Sequence, residues 1–358
     1  MIHFIRQRLA FSATHHHRAD QARLHGHNFQ LTATVSGDQQ PHGVVVEADL
    51  LIKRLTELRP TDVGNDTIDA LWAGLQDGWP TCVAAQAVTL VEASGAGSTI
   101  ERGQRLYLSP GYFSAAHRTH APRLTDAENL AMYGICDNPA GHGHNYRVMV
   151  WHPTVDRVPK MVWAEFDHRN LSIDLPDLRG RNVVTEAIAE LIARRAPDAA
   201  RVRVWETDTF YAEFKPTSGA YILGRRYVFS AAHQIGDSAR TNRENFARFG
   251  ACARAGRHGH DFSLEVQVSA AELDPLSETA FDLGLLDQAA AGVLADLHET
   301  DLDTDVAWLT GQANTPERLV EQVWARLAGE LGDALSAVAV AATPDHEAWK
   351  RRGEDGKR

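Results

Sequence analysis

Alternation of apolar and polar residues recurs at three places along the chain. In residues 263–268, Leu264, Val266 and Val268 point one way and Ser263, Glu265 and Gln267 the other, the period of a half-buried strand. Residues 29–35 and 146–150 occupy the same place in two other copies, and each is preceded by another strand-like stretch, of which residues 225–230 are typical. Helical periodicity follows. Leu286, Val293, Leu294 and Leu297 stripe a helix over 281–298. Leu319, Val323 and Leu327 stripe another, opened by Thr315-Pro316-Glu317, where Thr315 suits the N-cap and Pro316 the first helical position. Ile188, Leu191 and Ile192 mark a matching helix over 185–196, and residues 47–58 and 68–75 predict two more. Each set then returns to strand, at 88–91, 202–205 and 338–341. The recurring order is strand, strand, helix, helix, strand, with room for one more strand. The second set departs from it. Only 16 residues separate Val150 from Asp167, Pro153 and Pro159 among them, so its first helix is expected to be missing.

A motif repeats in phase with this pattern. Phe-Ser-Ala-x-His ends at His15, His117 and His233, and is followed by His25-Gly26-His27, His142-Gly143-His144 and His258-Gly259-His260. The chain is one module written three times. Gly, Pro and Ser collect near 102–104 and 215–219, which divides the chain into modules at 1–103, 104–217 and 218–350, with 351–358 expected as a disordered tail. Modules of this size bury only a modest core, so they are expected to lean on one another.

Composition narrows the function. The formal charge of −11 lacks the basic footprint of a nucleic-acid binder, although a local cation and a few arginines still permit a small anionic substrate. Three cysteines make no disulfide framework and fit a reducing compartment. No apolar run approaches the ~20 residues of a membrane helix, so a cytoplasmic protein without membrane partners is expected.

The histidines point to a metal. Side chains at i and i+2 of a strand share a face, so each His-Gly-His presents two imidazoles together, and the histidine of the neighbouring strand completes a trio. Three imidazoles with an open fourth position are a catalytic zinc site. Cys136 and Cys252 each lie six positions before the first histidine of their pair, where a thiolate near zinc would have a lowered pKa and serve as a general base. Cys82 lies away from the histidines and reads as structural. Asp167-His168 occurs once and can form a proton donor. Glu206 ends a strand, where its carboxylate can accept two hydrogen bonds from an amino-substituted heterocycle.

Together, the stretch from Phe113 to His117, Cys136 with His142-Gly143-His144-Asn145-Tyr146, Asp167-His168-Arg169-Asn170-Leu171 and Glu206-Thr207 resemble the 6-pyruvoyl-tetrahydropterin synthase family and the related 6-carboxy-tetrahydropterin synthases of queuosine biosynthesis. The resemblance implies an α+β tunnelling fold: antiparallel four-stranded sheets with two helices on one side, three of which close into a barrel with helices outside. Three fused modules would form one barrel as a pseudotrimer, and a homodimer would stack two. It implies that His117, His142 and His144 bind Zn2+, with equivalent trios at His233, His258 and His260 and at His15, His25 and His27. Cys136 would abstract a proton, with Asp167 and His168 as companions. Glu206 would anchor the pterin, assisted by Thr185. The implied reaction eliminates triphosphate from dihydroneopterin triphosphate without a redox cofactor.

The modules depart from this pattern unequally. Module three keeps Cys252 but has His298-Glu299 for Asp-His and Ala342 at the anchoring position; module one has Glu92 as an anchor but Gln21 where shorter-gap relatives have cysteine. Sites in the family lie between subunits, so the single Asp-His pair allows at most one fully equipped site per chain, its cysteine being Cys136 or, in trans, Cys252. The six-position offset and Asn145-Tyr146 lean towards the pyruvoyl branch. The 6-carboxy branch, a non-catalytic pterin-binding protein and a changed side-chain cleavage are the competing readings.

Overall fold

The computed structural model describes residues 2–17, 20–40, 44–154, 160–236, 239–254, 256–311 and 313–353 of the 358-residue chain. Module one contributes β1 (Ile2–His17), β2 (Asp20–Asp38), α1 (Ala48–Leu58), β3 (Asp62–Val63), α2 (Thr67–Gln76), β4 (Val83–Glu92) and β5 (Gly97–Glu101). Module two contributes β6 (Gln104–His117), α3 (Asp126–Tyr133), β7 (His142–His152), α4 (Lys160–Phe166), β8 (Arg169–Asn170), α5 (Leu171–Asp174), α6 (Thr185–Arg195), β9 (Arg201–Trp205) and β10 (Phe210–Lys215). Module three contributes β11 (Ala220–His233), α7 (Asn242–Phe249), β12 (His258–Ala270), α8 (Leu283–Leu297), β13 (Thr300–Asp301), α9 (Pro316–Leu331), β14 (Leu335–Thr343) and β15 (His346–Arg351).

Four long strands from each module form one antiparallel barrel in the order β10-β9-β7-β6-β5-β4-β2-β1-β15-β14-β12-β11, and β10 pairs with β11 to close it. Closure leaves the twelve strands without an open edge. Two of the three seams are hairpins, β5–β6 and β10–β11. The third, β1–β15, joins the two ends of the barrel through Phe4↔Trp349 to Gln7↔His346, with no chain crossing it. This is the tunnelling fold with helices outside: α2 packs on β4 and β5, α6 on β9 and β10, α9 on β14 and β15.

Strand alternation assigns the two faces. Leu264, Val266 and Val268 are fully buried among Leu286 and Val293 of α8 and Leu319 and Val323 of α9. Each such side chain contributes roughly 1.5–3 kcal/mol on leaving water. The opposite face carries Glu265 and Gln267, which hydrogen-bond Tyr211; Tyr211 Oη donates to Glu265 at 2.7 Å, and Arg203, over the Tyr211 ring, donates to Glu213 at 2.7 Å. Thr315 caps α9 by accepting the Arg318 N–H at 3.3 Å, as its sequence predicts.

Two expectations are corrected. The first helix of module two is shortened, not missing: α4 is seven residues long and buries Val162 and Phe166 against Phe113. Its Trp163 lies over Gly111, where a Cβ would come within 2.3 Å of the ring. Short chain and close approach explain each other. The terminal segment is ordered further than 350. Arg351 pairs with Ala337 in β15, and Arg352 donates to Leu335 O at 2.8 Å, because β14 needs a neighbour to close the barrel. Residues 354–358 of the expected tail lie outside the described residues.

Candidate functional site

The three histidine trios form by one register. His117 faces His142 across β6–β7 and Ala115 faces His144; His233 faces His258 and Ala231 faces His260 across β11–β12; His15 faces His25 across β1–β2. All project on the helix side. In module two, His117 Nδ1 is held by Val183 O at 2.6 Å, and its Nε2 is buried with no hydrogen-bond partner. His233 repeats this, with Nδ1 on Asn314 O at 3.1 Å and Nε2 unpartnered. A carbonyl that fixes one ring nitrogen leaves the other as a ligand, the outer arrangement of metal-bound histidines. Burial lowers the pKa of both His117 and His233, the latter to about 4, so these rings are neutral and able to ligate. The donor atoms of His117, His142, His144 and Glu206 lie within 4.8 Å of one another, as do those of His15, His25 and His27. Tetrahedral zinc brings nitrogens to about 3.4 Å from one another, given Zn–N near 2.1 Å, so small side-chain movements suffice. The residues fit a divalent cation.

An element unforeseen in the sequence positions the cysteines. The helices α3 and α7 each begin with a complete capping box, Thr125 with Glu128 and Thr241 with Glu244. Each ends on a glycine at positive φ, Gly134 at 53° and Gly250 at 64°, after which one turn of 3-10 helix carries Cys136 or Cys252 into its site. Thr-x-x-Glu followed by glycine is the signal that would have found both. The thiols themselves run against expectation. Burial raises both, with Glu206 adding to the effect on Cys136, so nothing in the protein alone lowers them.

Around the second trio, Thr185 Oγ1 donates to Glu206, whose other oxygen lies 3.4 Å from His144 Nε2. The hydroxyl fixes one carboxylate oxygen and leaves the other beside the trio. Glu92 holds the same register on β4 as Glu206, opposite Phe29, and sits 3.8 Å from His27. Ala342 takes that place in module three. Pro316 follows Asn314 as Thr185 follows Val183, so the anchoring hydroxyl is lost there as well.

Asp167 and His168 do not join Cys136. The Asp167 carboxylate accepts the Ser114 N–H at 2.8 Å and contacts His168 Nδ1 at 2.9 Å, and the Ser114 bond holds it below the usual range. Its strand β8 pairs with β6 through Ala115↔Arg169, while Ala115 also faces His144 of β7. A strand has two edges, so the pair lies on the side of β6 away from β7, towards β5 and module one. Glu206, whose charge reaches Cys136, lies beyond β7. Three strand spacings separate them, about 14 Å. Cys252 is no nearer by this route, because β6 borders module one and not module three. The pair instead faces the trio of His15, His25 and His27, whose module lacks the cysteine; the Gln21 side chain lies outside the described residues.

The equivalent of Asp167-His168 in module three is His298-Glu299, just ahead of β13 on the edge of β11 that also meets β10 of module two. Glu299 N–H donates to Ser230 O at 2.7 Å as His168 N–H donates to Ser114 O at 2.6 Å, and both residues have positive φ, 59° and 56°. His298 Nδ1 accepts the Ser230 N–H at 3.2 Å, which leaves the proton of the neutral ring on Nε2, 4.0 Å from Glu299. On the same edge of β11, Arg226 N–H is bound by Thr209 O, in the turn that carries Glu206. The four-residue rise from Arg226 to Ser230, with three residues between them, leaves a cleft about 13 Å long on this edge. Val228, in its middle, is 61% exposed, as Tyr112 at the same place in β6 is 64% exposed. Module three also walls this cleft: Ser277 O accepts from Tyr133 and Asn182, and Ala280 N–H donates to Glu186.

Comparison with known proteins gives three segments matching a family model described as 6-pyruvoyl tetrahydropterin synthase, over residues 4–83, 109–217 and 222–352. The chain is 34% identical over 124 residues to 6-pyruvoyl tetrahydrobiopterin synthase of Homo sapiens, covering 29% of this chain and 86% of that protein. It is 38% identical over 117 residues to the protein of that name from Poecilia reticulata, covering 27% and 80%. A solved structure of 6-pyruvoyl tetrahydropterin synthase from Caenorhabditis elegans aligns at 27% identity and TM-score 0.33, over 37% of this chain and 95% of that one.

Proposed function

The chain belongs to the 6-pyruvoyl tetrahydropterin synthase family, and on that premise we propose that it is a zinc-dependent lyase that converts dihydroneopterin triphosphate, with elimination of triphosphate, in the cleft between modules two and three. One observation carries this reading. Among the described residues, only module two gathers a histidine trio, a cysteine and a hydroxyl-braced carboxylate: His117, His142, His144, Cys136 and the Thr185–Glu206 pair.

Glu206 accepts hydrogen bonds from the amino edge of the pterin, oriented by Thr185. That contact turns the substrate side chain towards the trio. Zinc held by His117, His142 and His144 would polarise the side-chain oxygens and acidify the adjoining C–H. Cys136 takes the proton from carbon, and His298-Glu299 returns one from the opposite wall. Loss of the proton and departure of triphosphate balance without an external oxidant or reductant, since the remaining protons are redistributed within the substrate. Two barrels are expected to stack as a homodimer, detectable as twice the chain mass in solution.

Purified, zinc-loaded protein given dihydroneopterin triphosphate should release inorganic triphosphate and form the 6-pyruvoyl product. Formation of only the 6-carboxy product with acetaldehyde would replace the pyruvoyl assignment with the 6-carboxy one. Pterin binding without turnover would reduce the protein to a binding module.

A further inference from the structure

The third histidine trio has a different fourth neighbour from the second. Cys252 Sγ lies 3.4 Å from His260 Nε2, and the donor atoms of His233, Cys252, His258 and His260 all lie within 4.8 Å of one another. In module two the corresponding group is completed by Glu206. His233 is wholly buried with Nε2 unpartnered, and neither ring nitrogen of His258 has a hydrogen-bond partner. The parts that would serve a substrate are absent here: Ala342 replaces the anchoring carboxylate and Pro316 the bracing hydroxyl. The facing edge, on β1, carries Thr61 and Asp62, preceded by Arg59-Pro60 where the other modules have a His-carboxylate pair.

We propose that module three holds a closed, structural zinc site in which Cys252 is the fourth ligand. Catalytic zinc keeps an open position for water or substrate, whereas structural zinc is enclosed by four protein donors, and three histidines with one thiolate make such a set. Binding breaks the S–H bond of Cys252 and forms a metal–sulfur bond, releasing one proton and transferring no electrons. The site has a mechanical use. Cys252 follows α7, which packs on α1 of module one, and Arg248 of α7 reaches Glu47 at 3.4 Å. Val45 N–H of module one also donates to Glu317 of α9. Tying Cys252 to β11 and β12 therefore braces the seam between modules three and one, the seam that no chain crosses.

Cobalt tests this without pterin turnover, so its outcome is independent of the proposed activity. Metal-stripped, full-length protein is reloaded with Co2+ alone and its absorption recorded. The wild type should show a thiolate-to-cobalt charge-transfer band, which Cys136→Ser keeps and Cys252→Ser loses along with at least about 10-fold in affinity at that site. A wild-type spectrum without the band, or a band that follows Cys136 instead, overturns the proposal. Alkylation of the wild type, read by mass spectrometry, avoids dependence on a variant that fails to fold. Zinc should protect Cys252 from iodoacetamide; equal modification with and without zinc contradicts the thiolate ligand.

Discussion

The second and third histidine trios share a backbone register and differ in what stands beside them. His117↔His142 and His233↔His258 are the same pairing on equivalent strand pairs, β6–β7 and β11–β12. Beside one lie Glu206 and Thr185; beside the other lie Ala342 and Pro316, with the thiol of Cys252 drawn to His260. The register is fixed by the apolar face of the sheet, which a change at a strand end or helix start leaves intact. Chemistry at the end of the barrel can therefore diverge while the geometry of the histidines persists. A repeated metal motif reports the scaffold, and the neighbours decide whether the cation meets a substrate.

The sharpest test of this contrast is Cys136→Ala, expected to lower turnover by about 10²–10⁴-fold while metal content is retained. Loss of metal in that variant, measured by elemental analysis, would make the two cysteines equivalent and break the comparison.

Next in size is the source of the proton-transfer pair. Glu299→Gln should cost roughly 10²-fold in kcat and alter the pH profile, with Asp167→Asn far milder. The opposite ranking would move the working site to the cleft between modules one and two. Glu206→Gln is expected to raise KM for the pterin by about 10-fold or more, through loss of a charged acceptor.

Smaller effects separate the seams themselves. Hydrogen bonding from His3, helped by Lys350, holds Glu321 at about 2 at the seam of modules three and one. A depressed carboxylate stabilises the fold above its unfolded value and loses that contribution as pH falls from about 4.5 to about 2. Burial instead raises Glu186, at the seam of modules two and three, to about 7. Its contribution is full below about 4.5 and is lost as pH rises through about 7. Denaturation midpoints across pH should show Glu321→Gln flattening the acid limb and Glu186→Gln the neutral one; a shared pH dependence would deny the seams their separate character. The smallest effect is Thr315→Ala, which removes a cap that α6 lacks, at a cost of about 1 kcal/mol of unfolding free energy.

Much of this was legible locally. Strand alternation and the repeated His-x-His place three trios on one face because a strand returns its side chains every second residue. Thr315-Pro316 marks a helix start because the cap is made within a few residues. The capping boxes ahead of Cys136 and Cys252 carried the same kind of signal, though the helices they begin were not anticipated. The short α4 escaped because two turns held by tertiary contact with Phe113 need no long periodic stretch.

The threefold repeat, the strand pattern of the barrel and the residues capable of holding a cation follow from periodicity and side-chain type alone. Which residues share a cleft was decided only by the tertiary structure. Asp167 and Glu206 lie 39 positions apart in one module yet on opposite sides of β6 and β7: Asp167 on the β5 side, and Glu206, whose charge reaches Cys136, beyond β7 towards β10 and β11. Strand order around a closed barrel is a non-local property: it depends on which hydrogen-bonding edges meet when the two ends of the chain join at β1 and β15, and no local spacing encodes that.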